Sequence, residues 1–195
     1  MTVPALGPVT TVSAAFAGDR RVLATGARGS CPSGPAQPAT PVVSSANGGR
    51  TWYREGTVPL AGPGSVSFTG RRALVVDECT GTFATSEDGG RHWQRWAYPR
   101  GLGGGFFATS GSVAGPTMVV ADAAPGRGPR LLVSRDGGRL WTAYRLSGPQ
   151  AAELTTVVAA GPGDLWAAGP DDALWHSNDG GARWHLLRLA LPVAS

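Results

Sequence analysis

Five carboxylates, Asp77, Glu78, Asp122, Asp171 and Asp172, fall at the ends of short apolar runs. Two of them, held about 5 to 9.5 Å apart across a cleft, would suffice to cleave a glycosidic bond; acid and base would then come from Asp77, Asp122 and Asp171. The simpler expectation is solvated loop carboxylates. His92, His176 and His185 have no zinc or EF-hand spacing and read as strand residues with polar tips. No glycine-rich segment leads from a strand into a helix, so there is no phosphate cradle, and "GLGGG" at 101–105 reads as a flexible crossing. Neither a metal nor a cofactor is expected. Cys31 and Cys79 are the chain's two cysteines. Aligning "RRVLATGARGSC" with "RRALVVDEC" puts both near the ends of equivalent strands on one face, where a disulfide or two free thiols would fit; a bond would imply an oxidising compartment.

All 17 basic side chains are Arg, against 13 acidic ones, for a formal charge of +4. They are scattered, and the longest basic runs are the pairs Arg20-Arg21 and Arg71-Arg72, which argues against a nucleic-acid track. No stretch approaches the 18 or so continuous apolar residues of a membrane span. The head, "MTVPALGPVTTVSAAFAGD", lacks a basic leader and does not read as a signal peptide.

The elements that must position these groups announce themselves through a repeat. "SANGGRTW" at 45–52, "SEDGGRHW" at 86–93, "SRDGGRLW" at 134–141 and "SNDGGARW" at 177–184 recur with serine spacings of 41, 48 and 43 (45 to 86, 86 to 134, 134 to 177). A period in the forties with four short strands per unit predicts a propeller blade. The third unit shows the strands as "GFFATSG", "TMVVADA", "RLLVSRD" and "RLWTAYRL", bounded by Gly or Pro, and no segment has a helical apolar period. The motif falls between third and fourth strands. There a turn with positive φ accepts glycine, and a short acceptor at Asn47, Asp88, Asp136 or Asp179 can bond nearby amides. Ser45, Ser86, Ser134 and Ser177 and the glycines Gly49, Gly90, Gly138 and Gly181 complete the turn. Trp52, Trp93, Trp141 and Trp184 are expected to start the outer strand and fold back over the hairpin.

This S-x-D-x-G-x-x-W pattern resembles the Asp-box, or BNR repeat, of sialidases, sortilin-type receptors, xyloglucan-cleaving glycoside hydrolases and photosystem II assembly and stability factors. It recurs four times across the chain, with Asn47 replacing Asp once and Ala182 replacing the usual Arg. The resemblance implies an all-β propeller of four-stranded antiparallel blades, read as one domain over 1–195 with blades near 7–56, 64–98, 104–146 and 153–190. It says little of function, because the same turn serves enzymes, receptors and chaperones. A sialidase mechanism would need a Tyr–Glu nucleophile in the channel, and Tyr53, Tyr98 and Tyr144 fall on outer strands instead.

Asp-box families mostly use six or more blades. The head "TVPALGP" also repeats the "TVPLAGP" at 57–63, and reads as the tail of a preceding blade. The expectation is four blades in one compact unit, the alternatives being an arc of a longer propeller and two chains pairing into one ring. Sites in propellers gather at the channel mouth, on the face opposite the motif turns. The loops there are 27–40, 77–81, 122–130 and 169–172, with the crossings 56–64, 98–104 and 147–153. Arg28, Arg100, Arg127 and Arg130 would give this face a basic rim. The reading is a non-enzymatic binding or scaffolding propeller, exported by a leader absent from this chain, holding an acidic protein or carbohydrate partner. A glycan-acting hydrolase is the alternative.

Overall fold

The computed structural model describes residues 11–17, 21–27, 39–60, 62, 64–96, 107–122, 128, 130–147, 154–170 and 172–188. They form sixteen strands in four sheets of four. The first sheet holds β1 (Thr11–Ala17), β2 (Arg21–Ala27), β3 (Thr40–Ser45) and β4 (Tyr53–Val58). The second holds β5 (Gly64–Thr69), β6 (Arg72–Asp77), β7 (Thr82–Ser86) and β8 (Gln94–Trp96). The third is β9 (Ala108–Ala114), β10 (Thr117–Asp122), β11 (Arg130–Ser134) and β12 (Thr142–Arg145); the fourth is β13 (Thr156–Ala159), β14 (Leu165–Ala168), β15 (Ala173–Ser177) and β16 (His185–Arg188). Within each sheet sequential strands pair antiparallel. This is the four-bladed, all-β architecture of a propeller.

The core lies between blades. Leu23, Val42, Val58 and Leu60 of the first blade pack with Val66, Phe68, Val75 and Ala84 of the second. Leu74, Val76 and Phe83 meet Val113, Met118 and Leu132 of the third, and Val119, Leu131 and Val133 meet Val157, Leu165 and Trp175 of the fourth. The middle strands are therefore apolar on both faces, as β10 shows with every residue buried. Inner strand packs on inner strand, β1 on β5, β5 on β9 and β9 on β13. No comparable contact joins β13 to β1 among the described residues, so the described strands form an open arc.

Each motif turn is closed by its own side chains. Ser134 Oγ donates to Asp136 Oδ1 (2.8 Å) and accepts the Gly138 amide (2.8 Å), while Asp136 Oδ1 accepts the amides of Arg139 and Leu140 (3.0 Å each). Ser45, Ser86 and Ser177 repeat the arrangement, each accepting the amide of the second turn glycine at 2.8 to 2.9 Å. Both glycines of the pair have positive φ, +81° and +93° at Gly137 and Gly138, which L side chains adopt at a cost. Trp141 Nε1 donates to the Gly138 carbonyl (3.0 Å), and Trp52, Trp93 and Trp184 do the same in their turns. That bond corrects one expectation: the tryptophans precede the outer strands instead of starting them, because an indole folded back onto the turn takes its residue out of the ladder.

Candidate functional site

The loop face is held by two carboxylates at matching positions. Asp77 ends β6 and Asp122 ends β10, each the last residue of its blade's second strand. Asp77 is fully buried. Its Oδ2 accepts the Gly62 amide (3.1 Å) at the entry to β5, and its Oδ1 accepts those of Cys79 (2.9 Å) and Thr80 (3.1 Å). Asp122 is 1% exposed. Its Oδ1 accepts the Phe107 amide (2.8 Å) at the entry to β9, and its Oδ2 faces the guanidinium of Arg130, which is 5% exposed. Each carboxylate thus ties the end of its blade's second strand to the segment entering the first. A buried charge persists only when it is paired and hydrogen-bonded, and here amides and a guanidinium meet that demand.

Two expectations change. Asp77 and Asp122 are not solvated loop carboxylates, and neither presents a free oxygen to a substrate in the channel mouth. Arg130 does not join a basic rim, because it turns inward to pair with Asp122. Arg28, Arg100, Arg127, Asp171 and Cys31 lie outside the described residues. Cys79, beside Asp77, is disulfide-bonded. Glu78 and Asp172 are exposed, Asp172 at a positive φ of 56°.

An aromatic residue absent from the expected site stands on this face. Phe107 is 37% exposed and lies over Gly81, and the Gly81 carbonyl accepts the Ala108 amide of the next blade (3.0 Å). The run "GFFATSG" reads Phe107 as a strand residue, but it lies one residue ahead of β9. Thr80 and Thr82 share a hydroxyl contact of 2.8 Å in the adjoining turn. The described part of the face is therefore an aromatic ring with hydroxyls and the exposed Glu78 carboxylate around it, on a rigidly bonded base.

On the opposite face Asp136 and Asp179 are held below the ordinary carboxylate value of 3.8, first by the amides of Leu140 and Arg183 respectively. At Asp88 burial pushes upward, but the His92 amide and ring, Ser86 and the Arg91 amide together hold it well below that value. The histidines sit apart. His92 bonds Asp88 (2.5 Å), whereas His176 bonds Asp164 (2.9 Å) and stacks on Trp166 with ring centroids 4.0 Å apart.

No protein-family model matches the chain, and no curated protein matches it. Solved structures do. A structure of YCF48 bound to D1 peptide is 13% identical, with 95% of this chain and 82% of that one covered and a TM-score of 0.50. The GH74 enzyme of Niastella koreensis is 20% identical with a TM-score of 0.61; 92% of this chain is covered but 24% of the enzyme. The computationally designed Ika4 protein is 14% identical with a TM-score of 0.56, over 89% of this chain and 94% of that one. At these identities the likeness is one of fold, and the chain has the fold of propeller proteins.

Proposed function

We propose that this chain is a non-enzymatic binding or scaffolding propeller of Asp-box type whose loop face holds an extended protein segment. The observation that carries the reading is the shared burial of Asp77 and Asp122. The carboxylates best placed for hydrolysis are spent on bracing loops, and a braced face bearing an exposed Phe107 suits recognition. Aromatic anchors on a rigid base are what binding surfaces use. YCF48, which shares the fold, is seen bound to a peptide, and this favours protein over carbohydrate. The bonded Cys79 suits an oxidising, extracytoplasmic setting. Arg28, Arg100 and Arg127 would add the positive charge that selects acidic segments.

Binding of the chain to arrayed acidic and neutral peptides tests this. Capture of acidic peptides is expected, reduced at least tenfold in Phe107→Ala and in the double variant Arg100→Glu, Arg127→Glu, with thermal stability unchanged. Absence of capture together with turnover of a polysaccharide or sialoside, lost in Asp77→Asn or Asp122→Asn, would reverse the assignment to an enzyme.

A further inference from the structure

Two neighbouring motif turns enclose a cleft of about 270 Å³ between the second and third blades. It lies on the face of the serine turns, away from the loop face. Thr85, Glu87, Trp93 and Gln94 of the second blade form one wall, and Gly137, Gly138 and Arg139 of the third form the other. A space of this size suits a single ring-sized group. Neither of the other junctions repeats the arrangement. At the third, Arg135 stands where Glu87 stands and fills the space, its Nε donating to the Gly180 carbonyl (2.8 Å) and its guanidinium to the Tyr144 hydroxyl (3.1 Å). At the first, Ala46 takes that place and offers no acceptor.

The arginine behind the cleft is also unlike its counterpart. Arg21 and Arg72 each open the second strand of their blade. Arg21 donates to the Gly70 carbonyl and lies over the Phe68 ring, 5.4 Å from its centroid. For Arg72 the matching neighbour is Val113, which has no ring, and Arg72 Nε is buried without a hydrogen-bond partner among the described residues. A buried donor in that state is costly and takes up an acceptor where one is offered. Gly137 brings it beside a carboxylate: a Cβ there would come within 2.8 Å of Arg72 Nε and 3.0 Å of Glu87 Oε1. Glu87, 46% exposed and held by Arg139 Nη2 (3.3 Å), can turn to admit a group between them.

An acid in this cleft would meet Glu87, and an amine would meet Arg72 and Arg139. The charges therefore select a neutral group that accepts from a guanidinium and donates to a carboxylate, which is a hydroxyl. Trp93 adds a carbon surface, because its N–H is taken by the Gly90 carbonyl (2.8 Å) and the ring is left for C–H contact. Thr85 Oγ1 accepts the Trp96 indole (2.9 Å) and keeps its own proton to give, and Gln94 is exposed beside it. An indole wall edged by donors and acceptors complements a ring that carries hydroxyls around a C–H face. We infer that the cleft binds one neutral sugar ring, free or at the end of a glycan, as a site separate from the loop face.

Titration of the nitrogen-labelled chain with methyl glucoside, galactoside and mannoside tests this by NMR, with glucuronate and glucosamine as charged comparators. At least one neutral glycoside is expected to shift the Trp93 indole and the Gln94 and Gly138 amide signals, with a dissociation constant of about 1 to 10 mM. Glu87→Ala and Arg139→Ala should each weaken binding about fivefold. Thermal stability should be kept, because alanine already stands at the matching positions 46 and 182. Glu87→Arg, which copies Arg135, should abolish binding. Tighter binding of the matching trisaccharides marks a glycan end as the source, and equal binding a free sugar. No shift by any neutral glycoside up to about 50 mM would overturn the inference. So would shifts by glucuronate or glucosamine alone, or binding left intact by Glu87→Arg.

Discussion

The indole of Trp141 in the third blade meets the ring of Phe83 in the second edge-on, with centroids 4.9 Å apart and planes at 69°. Trp96 closes the group, 6.2 Å from Trp141. A residue whose nitrogen pins its own turn thereby also joins its blade to the one before. Removing the ring deletes both contacts, so Trp141→Ala is expected to cost about 3 kcal/mol. Trp141→Phe should restore part of that packing without the bond to the Gly138 carbonyl. Urea denaturation followed by tryptophan fluorescence and circular dichroism measures both.

Ser134→Ala removes the acceptor of the Gly138 amide, which lies in a buried setting. An amide left without its partner costs about 1 to 3 kcal/mol. The same substitution at Ser45, Ser86 or Ser177 should give losses of similar size, since the geometry repeats. A loss below about 0.3 kcal/mol at any one of them would mean that the glycine amide there finds another acceptor.

Acid should loosen three turns and spare the fourth. Asp88, Asp136 and Asp179 are held below 3.8 in the fold, so near that pH the unfolded chain binds more protons than the folded one. Their contribution is complete above about pH 5 and is lost as the pH falls through about 4 and below. Asn47 makes the corresponding bond to the Thr51 amide (2.9 Å) with no titrating group. Urea midpoints are expected to fall below about pH 4 in the natural chain, and the triple variant Asp88→Asn, Asp136→Asn, Asp179→Asn should show a shallower fall.

The Asp122–Arg130 pair offers a double-mutant test. Either Asp122→Asn or Arg130→Met leaves the other charge buried without its partner, at a cost of about 3 to 5 kcal/mol. Combining the same two changes, Asp122→Asn with Arg130→Met, should cost less than the sum of the two single losses, because neither charge is then left buried alone. Simple additivity would mean that the two groups act independently.

The fold was legible because the turn motif is both local and repeated: a serine, an acceptor, two glycines and an indole within eight residues leave few alternatives, and their period sets the blade. Strand limits were less legible where apolar content and pairing diverge. Around β9 the phenylalanines at 106 and 107 draw the eye to 105–111, yet the strand is Ala108–Ala114. Its centre is Gly111, where a Cβ would come within 2.5 Å of Leu74 Cδ2 of the neighbouring blade. Close approach between blades chose that residue, and it leaves no local trace. The loop face was harder still. An aspartate at a strand end looks the same in sequence whether it faces water or braces a crossing, and only the entry amides of Gly62 and Phe107, fifteen residues earlier in each case, distinguish the two.

The bonds that shape each serine turn join residues no more than four apart in the chain. Such a corner closes almost no loop, so its formation loses little chain entropy and does not wait for distant segments. Four separate starting points for folding are thus spread along the polypeptide, and growth from any one proceeds by docking the next neighbour. Truncation after a whole repeat should therefore leave a shorter array of the same kind instead of an unfolded chain.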